Sequence, residues 1–204
     1  MTGGLKRPLG TVTARFGFAL RRAGRVAAAA GLLFFGAQAN LASSADVQMA
    51  EYQIKAAFLC KFANYVEWPA QPAARPDSPF GIGVLASDAV VDELMRAAVG
   101  QSVNGRPIAV RRLAQGESID GLGIIFIARS HAARLEQTLA ATKEQPILTV
   151  TESDQGTAVG SMVNFVVVAD KVRFDIALQR AELSNLKISA RLLAVARVVT
   201  GKAS

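Results

Sequence analysis

Apolar residues between Asp46 and Val66 recur at intervals of three and four: Met49, Tyr52, Ala56, Leu59, Ala63 and Val66. That spacing predicts one long helix, supported by Glu51 and Lys55 four residues apart. Trp68-Pro69 ends it, because the residue before a proline disfavours helical backbone. A second stripe, Ile54, Phe58, Phe62 and Tyr65, lies roughly 100–180° around the same helix. Two apolar faces mean that the helix is either sandwiched inside the domain or covered by another chain.

Further along, the pattern alternates between strand and helix. Phe80 to Leu85 reads as a strand, and Asp88 to Val99 as a helix capped by Ser87 or Asp88 and closed by Gly100. Arg106 to Leu113 is a strand after the Asn104-Gly105 turn. Gly123 to Ala128 is a continuous apolar run, the mark of a strand buried on both faces. His131 to Thr142 reads as a helix and Ile147 to Val150 as a short buried strand. Met162 to Ala169 and Lys171 to Phe174 form a hairpin, and helices from Asp175 to about Leu183 and Ser189 to about Val199 close the chain. The alternation predicts an α/β fold: a layered domain with a mostly parallel central sheet, a long N-terminal helix and a C-terminal hairpin plus helices.

The first 39 residues stand apart. Lys6, Arg7, Arg15, Arg21, Arg22 and Arg25 precede an apolar run from Val26 to Ala37, followed by Ala37-Gln38-Ala39. Twelve apolar residues are short of the ~20 that span a bilayer, so the segment reads as an export signal cleaved near Ala39. Residues 40–204 are then the mature domain, expected in the periplasm without a membrane anchor. Loss of the six leader cations takes the formal charge from +7 to about +1. The basic balance therefore belongs to the leader and gives no support to a nucleic-acid partner.

Candidate chemistry is sparse. Cys60 is the only cysteine, so no disulfide forms within the chain, and His131 is the only histidine, which excludes a multi-histidine metal site. Ser130 and His131 are adjacent, but Arg129 and Ala132 flank them where an orienting acid would be needed. Gly81-Ile82-Gly83-Val84-Leu85-Ala86 matches a dinucleotide fingerprint only formally, because its glycines fall inside the strand instead of after it. No P-loop, nucleophile elbow or paired carboxylates occur, so neither an enzymatic activity nor a cofactor is expected. The polar loop Thr151 to Gly160 is a ligand loop or an ordinary solvated connection. Arg173, Lys187 and Arg191 form a late basic group near Ser189, a candidate helix cap, and are the candidate residues for a small anion.

Lys55-Ala56-Ala57-Phe58 and Lys61-Phe62-Ala63-Asn64-Tyr65-Val66-Glu67-Trp68-Pro69 resemble the opening signature of the YfiR family. Gly105-Arg106-Pro107-Ile108, Ile124 to Ser130, Pro146 to Val150, Gly160 to Phe165, Val172 to Ile176 and Ile188 to Leu193 continue the resemblance, in order, across nearly all of residues 40–204. It implies a homodimeric periplasmic repressor that binds the sensor region of a membrane diguanylate cyclase, lowers cyclic di-GMP and is itself sequestered by an outer-membrane lipoprotein. Ile54, Phe58, Phe62, Tyr65 and Trp68 are the residues expected at a partner or dimer interface. The family's namesake is stabilised by disulfides, which the single Cys60 cannot provide within this chain. The competing expectation is a periplasmic small-molecule binder using Arg173, Lys187 and Arg191.

Overall fold

A computed structural model describes residues 45–69, 78–114, 116–143 and 145–201. The leader, its cleavage site and most of the Gln71–Pro79 connector lie outside them. Both sheets lie within Gln48–Ser204. Among the described residues, no helix is long and apolar enough to cross a membrane.

Helix α1 covers residues 45–65. It ends one residue before the predicted Val66, because Val66–Glu67 (β1) pairs antiparallel with Lys187–Ile188 (β9) as a separate two-stranded sheet. The Ser189 N–H donates to the Tyr65 carbonyl at 2.9 Å and fastens the helix end to that ribbon.

The main sheet has eight strands in the order β10-β8-β7-β6-β5-β2-β4-β3. In chain order they are β2 (Phe80–Leu85), β3 (Ser102–Val103), β4 (Arg106–Arg112), β5 (Leu122–Ile127), β6 (Leu148–Thr151), β7 (Val163–Val168), β8 (Lys171–Ala177) and β10 (Val198–Thr200). All pairings are parallel except β3 with β4 and β7 with β8. The remaining helices are α2 (Asp88–Ala98), α3 (Leu135–Thr142), α4 (Leu178–Leu183) and α5 (Ala190–Val195).

Several boundaries depart from the sequence reading, each through pairing with distant residues. Strand β8 runs on through Asp175 to Ala177, since Asp175 sits opposite Asn164 of β7, and α4 starts only at Leu178. Helix α5 stops at Val195, because Val198–Thr200 instead extends the sheet beside β8. The predicted His131–Thr142 helix is a 3₁₀ stretch over Arg129–Arg134 followed by α3.

The core is divided by the sheet. On one face, Ile82, Val84, Ile124, Phe126, Leu148, Val150, Phe165 and Phe174 pack with residues of α1 and α2. On the other, Leu85, Leu113, Leu122, Ile125, Ile127 and Ile147 form a smaller cluster against Leu135 of α3. Every residue of β5 is buried, as an apolar run in a central parallel strand should be. Gly123 is needed there, because a Cβ on it would overlap the Phe80 ring. The Phe80 ring so admitted meets Trp68 edge-on at 4.8 Å, while Trp68 Nε1 donates to the Gly123 carbonyl at 3.2 Å.

Candidate functional site at the carboxyl end of strand β6

Cross-strand register puts Ile127, Thr151, Asn164 and Asp175 side by side on the α3 face of the sheet. Ile127 belongs to the small apolar cluster, but the next three positions are polar and buried. A buried polar row must satisfy its own hydrogen bonds. Thr151 Oγ1 donates to Asn164 Oδ1 and lies equally close to Ser161 Oγ, both at 2.8 Å. Asn164 then behaves as a substitute peptide group. Its Oδ1 accepts from the Ser153 N–H at 2.7 Å and its Nδ2 donates to the Ser153 carbonyl at 3.0 Å. The carboxamide thus takes the place of a ladder rung, ends the β6–β7 pairing and holds the loop after β6 in position. At the far end of the row, the Arg197 guanidinium grips both oxygens of Asp175, with Nε to Oδ1 at 2.8 Å.

Glu152 follows directly. It is buried, and its carboxylate collects three contacts from two distant segments, helix α1 and the backbone at Arg129. The Tyr52 hydroxyl donates to Oε2 at 3.2 Å and the Arg129 N–H to the same oxygen at 3.3 Å. Lys55, only 3% exposed, brings Nζ to 2.9 Å from Oε1 and also pairs with Glu51. A buried charge is tolerated when it is closely paired and its other contacts are favourable. Lys55 meets that condition, since two carboxylates match it and its ammonium also sits 4.8 Å from the Tyr52 ring centre. Burial, and then the neighbouring Glu152 charge, push the Tyr52 phenol well above its ordinary range.

Above this junction lies a cleft of about 780 Å³, lined among others by Glu51, Tyr52, Arg129, Asp154, Asp175 and Arg197. Its size suits a small ligand. Arg129 reaches Asp154 at 3.0 Å, but both side chains are mostly exposed, at 65% and 81%. An exposed pair of that kind is held weakly and is open to exchange for a ligand's charge. The cleft therefore offers guanidinium and carboxylate groups together, an arrangement suited to a polar, charged small molecule. Ser130 Oγ and His131 Nδ1 are 3.1 Å apart nearby. Among the described residues, no group of three or more His, Cys, Asp or Glu side chains could hold a metal ion.

The residues singled out in the sequence distribute differently. Phe62 is fully buried, stacked on Phe165 at 5.7 Å and edge-on to Phe174 at 5.0 Å. Phe58 is half-buried and meets Phe174 edge-on at 5.3 Å, and Trp68 is half-buried against Phe80. Ile54 and Tyr65 keep 47% and 38% of their surface. The second stripe is thus sandwiched at its centre and open at its ends. Arg173, Lys187 and Arg191 are exposed, and none of them lines the cleft. Arg173 stands opposite Val166 and Lys187 opposite Glu67, while Asp175 pairs with Arg197.

Sequence reasoning overlooked Arg129, Glu152 and Arg197. The polar loop Thr151–Gly160 was the one signal pointing there, and it supplies Glu152, Ser153, Asp154 and Gly156 to the cleft.

Against known proteins, a family model described as YfiR/HmsC-like matches residues 52–197. The match takes in Tyr52, Arg129, Glu152 and Arg197 of the cleft. No curated protein sequence matches the chain.

Proposed function

The chain belongs to the YfiR/HmsC-like family, and from that premise we propose that it is a periplasmic regulator of diguanylate cyclase signalling. In this reading it is exported, loses its leader near Ala39, and binds the sensor region of an inner-membrane cyclase. Binding holds the cyclase inactive and lowers cyclic di-GMP, and an outer-membrane lipoprotein competes for the regulator. The observation that carries the proposal is the family match over residues 52–197. The basic, short-cored N-terminal segment supports export. For the partner surface we assign the open ends of the α1 stripe, Ile54 and Tyr65, with Phe58 and Trp68 half-buried along it. Deleting the gene in a strain with its cyclases intact should raise intracellular cyclic di-GMP. The same protein used as bait on detergent-solubilised inner membrane should retain a cyclase. Unchanged cyclic di-GMP under several envelope stresses, with no cyclase retained, rejects the role.

A second reading, a periplasmic binder of small anions, draws on the cleft. Its guanidinium groups are Arg129 and Arg197, in place of the Arg173, Lys187 and Arg191 group that the sequence suggested. A panel of small carboxylates and phosphates screened by thermal shift tests it. Stabilisation that disappears in Arg129→Gln supports the binder, and a flat panel removes it.

A further inference from the structure

The β7–β8 hairpin outruns its neighbour. Strand β6 ends at Thr151, opposite Asn164, whereas β7 and β8 stay paired out to Val168 and Lys171. Ala169 and Asp170, both at positive φ, make the two-residue turn that joins them. Such a turn makes Val168 and Lys171 a hydrogen-bonded pair, and alternation then assigns the backbone groups of Val166 and Asn164 to β8 as well. The Ala177 N–H, which donates to the Met162 carbonyl at 2.8 Å, keeps the same alternation. The N–H and C=O of Val167 therefore point the other way, along the line that β6 has left. Among the described residues, no strand lies against them there. Val167 lines the cleft, together with Glu51, Arg129 and Asp154. One wall of the cleft is thus a strand edge, and an unpaired edge residue offers one donor and one acceptor to an incoming strand.

We propose that the cleft binds a short, extended peptide with free ends, which adds to β7 as a strand at Val167. A residue inside the peptide exchanges both backbone hydrogen bonds with Val167, donating to its carbonyl and accepting from its N–H. The ends are matched by the Arg129–Asp154 pair. That pair is mostly exposed on both sides, so it is weakly held and a zwitterion splits it. Arg129 turns to the peptide's carboxylate and Asp154 to its ammonium. The Arg129 N–H is bonded to Glu152, which fixes the backbone and leaves only the side chain to move. The charge balance favours the amino end in particular. Among the described residues at this junction, the carboxylates of Glu51, Glu152, Asp154 and Asp175 outnumber the cations of Lys55, Arg129 and Arg197. A simple anion adds to that surplus, whereas a peptide brings a cation along with its carboxylate. The inference rests on the binder reading of the cleft, which it deepens, and needs no cyclase partner.

Isothermal titration calorimetry on the purified protein tests it, with trialanine as the probe and alanine, acetate and phosphate as comparisons. Trialanine should bind. Free alanine has no internal residue to pair with Val167 and should bind about tenfold more weakly or worse. Methylating the amide nitrogen of the central alanine removes the donor to the Val167 carbonyl and should weaken binding about tenfold. Val167→Pro removes the matching donor on the protein, an N–H that the hairpin does not use. It should weaken trialanine to a similar degree with the far-UV spectrum unchanged. Should that variant disturb the fold, the methylated peptide decides on the native chain. Arg129→Gln should weaken trialanine and leave the effect of methylation in place. A native chain that ignores trialanine overturns the proposal. If it still takes up acetate or phosphate, the anion reading survives alone, and if all four probes are silent, that reading falls as well. Trialanine binding that is indifferent to methylation also overturns the proposal, because no strand has then been added at Val167.

Discussion

Replacing Lys55 by methionine keeps the helix and the side-chain volume but deletes the cation that Glu152 faces. The carboxylate that remains is buried and enclosed by the Tyr52 hydroxyl and the Arg129 N–H, so neither water nor another cation replaces the ammonium easily. Breaking a buried ion pair from one side costs about 3–5 kcal/mol. The Tyr52 hydroxyl and the Arg129 N–H still donate to Oε2, which argues for the lower end, about 3 kcal/mol. For a domain of this size that lowers Tm by about 6–12 °C. Glu152→Gln should cost less, about 1–2 kcal/mol, because Glu51 still compensates Lys55 and an amide oxygen can still accept from Tyr52. The double variant should then cost less than the two single effects added, with a coupling of about 1–3 kcal/mol. Urea unfolding at neutral pH followed by circular dichroism measures all four corners of the cycle. A Lys55→Met variant within about 1 kcal/mol of the parent, or single effects that simply add, would show that the pair behaves as a surface contact and would refute the reasoning.

Phe62→Ala should cost about 3–5 kcal/mol, whereas Ile54→Ser should stay within about 0.5 kcal/mol, and comparing their urea midpoints separates the buried centre of the stripe from its open end. Gly123→Ala should cost about 1–3 kcal/mol by driving Phe80 from its place, and Trp68, the only tryptophan, should report the shift in its fluorescence. Burial raises the proton affinity of the Cys60 thiol and, with Glu152, of the Tyr52 phenol. Both contributions are whole below the unfolded values and fade as pH rises through them, so stability should decline above about pH 9–10. Tyr52→Phe should flatten that decline above about pH 10, and urea midpoints that fall equally steeply in the variant would contradict the assignment.

The elements that declared themselves in the sequence are those whose burial is uniform or strictly periodic. Leu122–Ile127 is apolar throughout because both faces are covered, and the α1 stripe repeats because one helix face meets one sheet face. The short strands β1, β9 and β10 left no such trace. With two or three residues each, they exist because distant backbone is waiting to pair with them. Asp175 reads locally as the start of a helix and becomes a strand residue only when Asn164 lies opposite it. The cleft was hidden for a related reason. Tyr52 and Glu152, joined by a hydrogen bond, are 100 residues apart, and Arg129 and Arg197 approach them from two further segments. Ionised residues in loops look alike in a sequence whether they are solvated or gathered at a strand end. Only the polar character of Thr151–Gly160 hinted at the gathering.

The attachment of α1 to the last strands also sets the order in which the molecule can form. Phe62 finds its neighbours in Phe165 and Phe174, Val66 pairs with Ile188, and Lys55 with Glu152. A chain delivered amino end first, from a ribosome or through a membrane pore, has none of these partners until most of its length has emerged. Its first helix must wait as an unprotected amphipathic segment, and loop closure over so many residues makes assembly slow. Such a chain stays threadable while it is being delivered and becomes resistant to re-entry once the end arrives. A version cut before Phe165 should never mature, however much of its sequence is correct.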